Sequence, residues 1–111
     1  MASKEFEEAK RRCLTIAQRG GTRLDLSNLG LREIPREILR CENLQSLSLA
    51  GNHITHFLPE LCQLRNLETL NFKRNPITML PNEMTELRRL KRLDLQDTRM
   101  PALPPFMSEM G

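Results

Sequence analysis

Apolar residues recur along this chain in columns set far apart, not at a local helix or strand period. Leu24, Leu47, Leu70 and Leu93 stand 23 residues apart, and two positions later so do Leu26, Leu49, Phe72 and Leu95. Three positions before the first column come Gly21, Leu44, Leu67 and Leu90; further along come Leu31, Ile54, Ile77 and Met100. In each unit the paired apolar positions flank a polar one. Period two therefore puts Leu24 and Leu26 on one face of a short strand and Asp25 on the other. One coil of this size cannot bury its apolar side alone, so coils stack and their columns merge into a core. The units run over residues 21–43, 44–66, 67–89 and 90–111. Each carries an apolar residue followed by proline, at Ile34-Pro35, Leu58-Pro59, Leu80-Pro81 and Leu103-Pro104, where the fixed φ of proline stops the strand from continuing. In the second unit that pair comes one residue late and the next apolar step one early, which predicts a shifted convex loop.

Asn52 and Asn75 share a further column, in which the first unit has Leu29 and the last Thr98. A turn leaving a strand points backbone groups inward, and they need partners. An asparagine amide both donates and accepts, so it can serve its own coil and a neighbouring one. Thr98 brings only a hydroxyl and Leu29 nothing, so this ladder is expected to weaken at both ends.

Two segments lie outside the regular pattern. Over residues 1–20, Phe6, Ala9, Cys13, Ile16 and Ala17 recur at helical spacing among charged residues. Ser3 is placed as N-cap and Gly20-Gly21 as terminator. Such an amphipathic helix caps the open edge of the first coil, as solenoids require. As a membrane-surface helix it is less apt, because its stripe is short and its polar face carries both signs. At the other end, Met107 and Met110 fall one unit after Met84 and Leu87, and no polar capping helix follows. Phe106 and the methionines folded over the edge, a partner covering it, or a chain that is a fragment or short form of a longer protein all remain open.

The second and third units read Leu44-x-x-Leu47-x-Leu49-x-x-Asn52-x-Ile54 and Leu67-x-x-Leu70-x-Phe72-x-x-Asn75-x-Ile77. Over residues 21–110 the chain resembles the leucine-rich-repeat family, and the 23-residue unit with its Leu-Pro is similar to the intracellular, Ras-suppressor-like subgroup. The resemblance implies an α/β fold: a short right-handed solenoid, a parallel sheet on its concave face, and a helical cap at the N-terminus.

Composition narrows the function. At 111 residues the chain has room for one domain. It holds 20 Leu and 5 Ile but no Val, Tyr or Trp. An ordinary sheet protein leans on β-branched and aromatic residues, so a core of leucine takes its regularity from the repeat. No run approaches the roughly 18 apolar residues of a membrane span, and the charged start has no signal-peptide core. Cys13, Cys41 and Cys62 are odd in number and widely spaced, which suits neither a disulfide framework nor a zinc site. A reducing, cytoplasmic setting is expected.

Candidate chemistry is sparse. His53 and His56 lack a third ligand at metal spacing and fall in a turn, so no metal is expected. Cys41 fills the apolar column of Leu87 and reads as a buried thiol. No phosphate loop or catalytic constellation is present, so neither an enzyme nor a cofactor is expected. The basic run Arg88-Arg89-Leu90-Lys91-Arg92 is interrupted by a core leucine, which splits its charges over different surfaces, and there are no exposed aromatics for base stacking. Nucleic acid is not an expected ligand. What remains is the polar face of the strands. Its columns read Arg23, Ser46, Thr69, Arg92, then Asp25, Ser48, Asn71, Asp94, then Ser27, Ala50, Lys73, Gln96, and in the following turn Asn28, Gly51, Arg74, Asp97. In the family such concave faces bind proteins. The resemblance therefore implies a non-catalytic adaptor or scaffold, acting as a monomer or as part of a complex. Its contact residues would be Arg23, Asp25, Ser46, Ser48, Thr69, Asn71, Lys73, Arg74, Arg92, Asp94 and Gln96. Two rivals stand beside it: a structural subunit docked through the C-terminal edge, and an anion binder using Arg88, Arg89, Lys91 and Arg92.

Overall fold

In a computed structural model, residues 4–101 of the chain are described. A helix, α1 (Lys4–Arg19), is followed by four short strands, β1 (Arg23–Asp25), β2 (Ser46–Ser48), β3 (Thr69–Asn71) and β4 (Arg92–Asp94). The strands form one parallel sheet in chain order. Its register aligns Leu24 with Leu47, Leu47 with Leu70, and Leu70 with Leu93. Behind the sheet the chain returns through single 3-10 helical segments at Arg36–Arg40, Pro59–Gln63 and Asn82–Glu86.

The apolar columns all face inward. Leu26, Leu49 and Phe72 are fully buried, as are Ile38, Leu61 and Met84 from the return segments. Each return segment closes alike. The N–H of Cys41, Leu64 and Leu87 donates to the carbonyls of Ile38, Leu61 and Met84, and Leu44, Leu67 and Leu90 then donate to Cys41, Leu64 and Leu87.

The convex loop of the second unit is not shifted. Its 3-10 segment keeps step with its neighbours, and Leu61 and Leu64 stand where Ile38 and Cys41 stand one coil earlier. Phe57 fills the column of Ile34 and Leu80 and packs on Phe72 with ring centroids 5.0 Å apart. Pro59 is thereby moved into the first turn of the 3-10 segment, where its missing N–H costs nothing. The late proline therefore marks no change of path: Phe57 holds the column and only the proline stands one residue later.

Helix α1 covers the β1 end. Ala9 and Cys13 are fully buried, with Phe6, Ile16 and Ala17 packed beside them. The Cys41 thiol donates to the carbonyl of Cys13 at 3.2 Å and ties the helix to the first return segment. The helix stops where Gly20 takes φ 63°. Gly20 N–H bonds Ala17 O and Gly21 N–H bonds Ile16 O, so the last carbonyls are satisfied by the left-handed turn that glycine permits. The assigned N-cap, Ser3, lies outside the described residues, as do Leu103-Pro104, Phe106, Met107 and Met110.

Candidate functional site

The open face of the sheet is built by the same alternation that builds the core. Register brings Arg23, Ser46, Thr69 and Arg92 into one row and Asp25, Ser48, Asn71 and Asp94 into the next. The second row also has a structural task. The N–H groups of Ser27, Lys73 and Gln96 donate to Asp25, Asn71 and Asp94 Oδ1 at 2.9, 2.9 and 3.0 Å. Ala50 N–H reaches Ser48 Oγ at a longer 3.5 Å. A short polar side chain that captures the N–H two residues on ends each strand and starts its turn. The turn then passes through positive φ at Asn28, Gly51, Arg74 and Asp97. That column needs residues tolerant of the left-handed region, and arginine at φ 59° is the unusual member.

Hydroxyls also knit neighbouring coils together across this face. Ser27 and Ser48 share a bond of 2.7 Å, and Thr69 donates to Ser46 at 2.7 Å. Asp25 takes both the hydroxyl and the N–H of Ser27, and with Arg12 nearby these hold its carboxyl below the usual range. By contrast, the charged side chains of Arg23, Lys73, Arg74 and Arg92 make no hydrogen bond or ion pair among the described residues. Six of the eleven predicted contact residues are thus committed to the fold, and the four cations are free.

Beside this face lies a cleft that no sequence motif marks. Of about 280 Å³, it opens between α1 and β1 and is lined by Arg11, Arg12, Arg23, Glu8 and Asp25 among others. Arg12 spans it, donating to Glu8 at 2.9 Å and to the backbone carbonyl of Asp25 at 2.9 Å, so the outer edge of β1 is partly satisfied by the cap. No sequence signal pairs Arg12 with Arg23, because they meet only once the helix docks.

The buried asparagines hold the coils together. Asn52 donates to Leu26 O and Leu49 O at 2.9 and 2.8 Å and accepts from the N–H groups of Leu29 and Leu31 at 2.9 and 3.0 Å. Asn75 donates to Leu49 O and Phe72 O at 2.7 and 3.1 Å and accepts from Ile54 N–H at 3.1 Å. Each therefore serves the coil before its own. Leu29 weakens nothing, since no coil precedes it and Asn52 already serves the first turn. Among the described residues the Thr98 side chain bonds only Leu95 O, inside its own coil, so the expected weakness lies at the C-terminal side alone.

The thiols are poor nucleophiles. Burial pushes Cys13 and Cys62 up to about 12, helped by Cys41 and Glu37 at the first and by Glu83 and Glu86 at the second. Burial also raises Cys41. His53 and His56 are exposed, and among the described residues no cluster of three metal-ligating side chains forms. The basic run is divided as its central leucine implies. Arg89 donates to Asn66 at 2.9 Å, Lys91 lies 3.7 Å from Glu68, and Arg92 stands on the open face. No helix among the described residues is long and apolar enough to cross a membrane.

The family model for the leucine-rich repeat matches residues 42–100. This chain belongs to the leucine-rich-repeat family. Among solved structures, a leucine-rich-repeat protein of Leptospira interrogans superposes with a TM-score of 0.77 at 34% identity, over 90% of this chain and 25% of that one. The internalin InlF of Listeria monocytogenes gives 0.71 at 23% identity over 89% and 31%, and internalin C2 of the same organism 0.63 at 21% over 82% and 49%. The internalins share the fold. This leucine-rich-repeat chain spans a quarter to a half of the length of these three proteins. No curated protein sequence matches it.

Proposed function

We propose that the chain is a non-catalytic recognition module that binds a protein partner on the open face of its sheet. The observation that carries this reading is the division of labour on that face. Its small polar residues are locked into strand-ending turns and cross-coil hydroxyl bonds, while Arg23, Lys73, Arg74 and Arg92 are held on rigid backbone with their charges unused. Side chains displayed on an already ordered sheet lose little freedom on binding, so more of the contact energy becomes affinity. The chemistry suits a partner that sets carboxylates against these cations. Asp25 and Asp94 mark the two ends of the face and deter acids placed there. An adaptor or scaffold role in the cytoplasm fits three buried thiols and the Ras-suppressor-like form of the repeat, and a protein ligand fits the family.

The test is affinity capture from lysate with mass-spectrometric identification. It compares wild type, an Arg23→Glu/Lys73→Glu chain, and a control changed on the return side, Arg36→Glu/Arg65→Glu. A protein retained by wild type and control but lost from the open-face variant supports the reading. Equal recovery by all three removes this face as the site.

A further inference from the structure

Among the described residues, the outer edge of strand β4 is paired with no other strand. Toward β3 the N–H of Arg92 donates to Glu68 O, and the carbonyls of Asp94 and Gln96 accept from Phe72 and Arg74. Backbone groups alternate sides along a strand, so the N–H and C=O of Leu93 and the N–H of Leu95 point the other way. At the matching position one coil earlier, Phe72 N–H is paired with Asp94 O, whereas beyond β4 no strand follows among the described residues. The apolar side chains here are also less covered. Leu90, Leu93, Leu95 and Met100 are only partly buried, while Leu67, Leu70, Phe72 and Ile77 are at most 1% exposed. An edge of this kind is a template for another strand.

The charge order of the edge selects its occupant. β4 reads Arg92-Leu93-Asp94. An antiparallel neighbour related by a two-fold axis at Leu93 sets Leu93 against Leu93 as a hydrogen-bonded pair. It also sets Arg92 opposite Asp94 of the second copy and Asp94 opposite its Arg92. Moving the axis to Asp94 would put carboxylate against carboxylate. Moving it to Leu95 would leave Asp94 facing Gln96 and Arg92 facing Thr98. Opposite charges directly across a ladder stabilise it and like charges destabilise it, so the first register is favoured. One oxygen of Asp94 is engaged by Gln96 N–H, and the other is left for the incoming guanidinium.

We propose that the chain self-associates across β4, as an antiparallel two-fold dimer registered on Leu93. The two sheets then run on as one. Opposed residues in a ladder share a face, so the two open faces become a single bivalent surface, in which Arg92 is taken up at the seam and Arg23, Lys73 and Arg74 of each copy stay available to a partner.

Sedimentation equilibrium of the full chain, from low micromolar to its solubility limit, tests this. A reversible monomer–dimer equilibrium is expected. Arg92→Asp leaves two acids on the edge and Asp94→Arg two arginines, so each variant alone should dimerise about tenfold more weakly or worse. An equimolar mixture of the two should recover the dimer, because the acidic edge then faces the basic one. Circular dichroism checks that both fold. If Asp94→Arg does not, because it loses the bond from Gln96 N–H, Arg92→Asp decides alone. A monomer throughout, single variants that associate like wild type, or a mixture no tighter than its components would each overturn the proposal.

Discussion

Asn75 is 1% exposed, and its amide is the partner of Leu49 O, Phe72 O and Ile54 N–H. Removing a side chain that satisfies buried backbone groups costs about 1–3 kcal/mol per group left bare, with incomplete additivity. Asn75→Ala should therefore destabilise the chain by about 3 kcal/mol, seen as a lower urea midpoint at unchanged slope. Thr98→Ala should cost about 1 kcal/mol or less, because among the described residues the Thr98 hydroxyl serves only its own coil, at Leu95 O. Equal losses at the two positions would contradict the ladder. The thiols make a second residue-scale prediction. Cys13 and Cys62 titrate near 9 when unfolded and near 12 when folded, so between those values the unfolded chain binds fewer protons. Their contribution is complete below pH 9 and is lost as pH rises toward 12. Thermal unfolding should show stability falling across that window, less steeply in a Cys13→Ala/Cys62→Ala chain. Parallel curves would mean the thiols are not insulated.

Among elements, α1 depends most on its neighbours. Sixteen residues with alternating charges form a marginal helix in isolation, and here the helix is fixed by Ala9 and Cys13 docking on the first coil. Ala9→Arg, which forces a long cation into a fully buried site, should cost at least about 3 kcal/mol and expose Leu24 and Leu26. Dye binding and a lowered melting temperature would report it; an unchanged melting temperature would mean that α1 is not a cap. The elements were legible in the sequence to different depths. The columns of Leu24 and Leu26 announced the strands because a side chain repeated at fixed spacing has one physical explanation, stacking. The return of the second unit is ambiguous in sequence because Leu58-Pro59 resembles a displaced Ile34-Pro35. A proline tolerated both before and inside a helical turn cannot mark register by itself, and Phe57 had taken the column. The open-face columns were readable as positions. The turn-making task of Asp25, Asn71 and Asp94 was not, since a polar residue beside a leucine can equally be a ligand contact or a backbone anchor. The cleft at Arg12 required knowing where the helix docks.

For the molecule as a whole, stability should not be uniform. In a stacked array each coil is held by its neighbours, so the second and third coils are secured on both sides, while among the described residues the fourth has a strand neighbour on one side. Burial follows this order, complete at Leu47 and Leu70 and partial at Leu93. Native-state amide exchange should show the strongest protection at Leu49 and Phe72, and faster exchange at Leu93 and Leu95. Protection as strong in β4 as in β3, at concentrations where the chain is monomeric, would contradict this order. The claim that recognition occurs on the open face is tested most directly by photo-crosslinking in lysate, with a benzophenone amino acid placed at Ser46 or Lys73 on that face and at Gln63 on the return side. The account predicts one and the same protein captured from Ser46 and Lys73 and not from Gln63. Capture from Gln63 alone, or nothing specific from the open face, would contradict it.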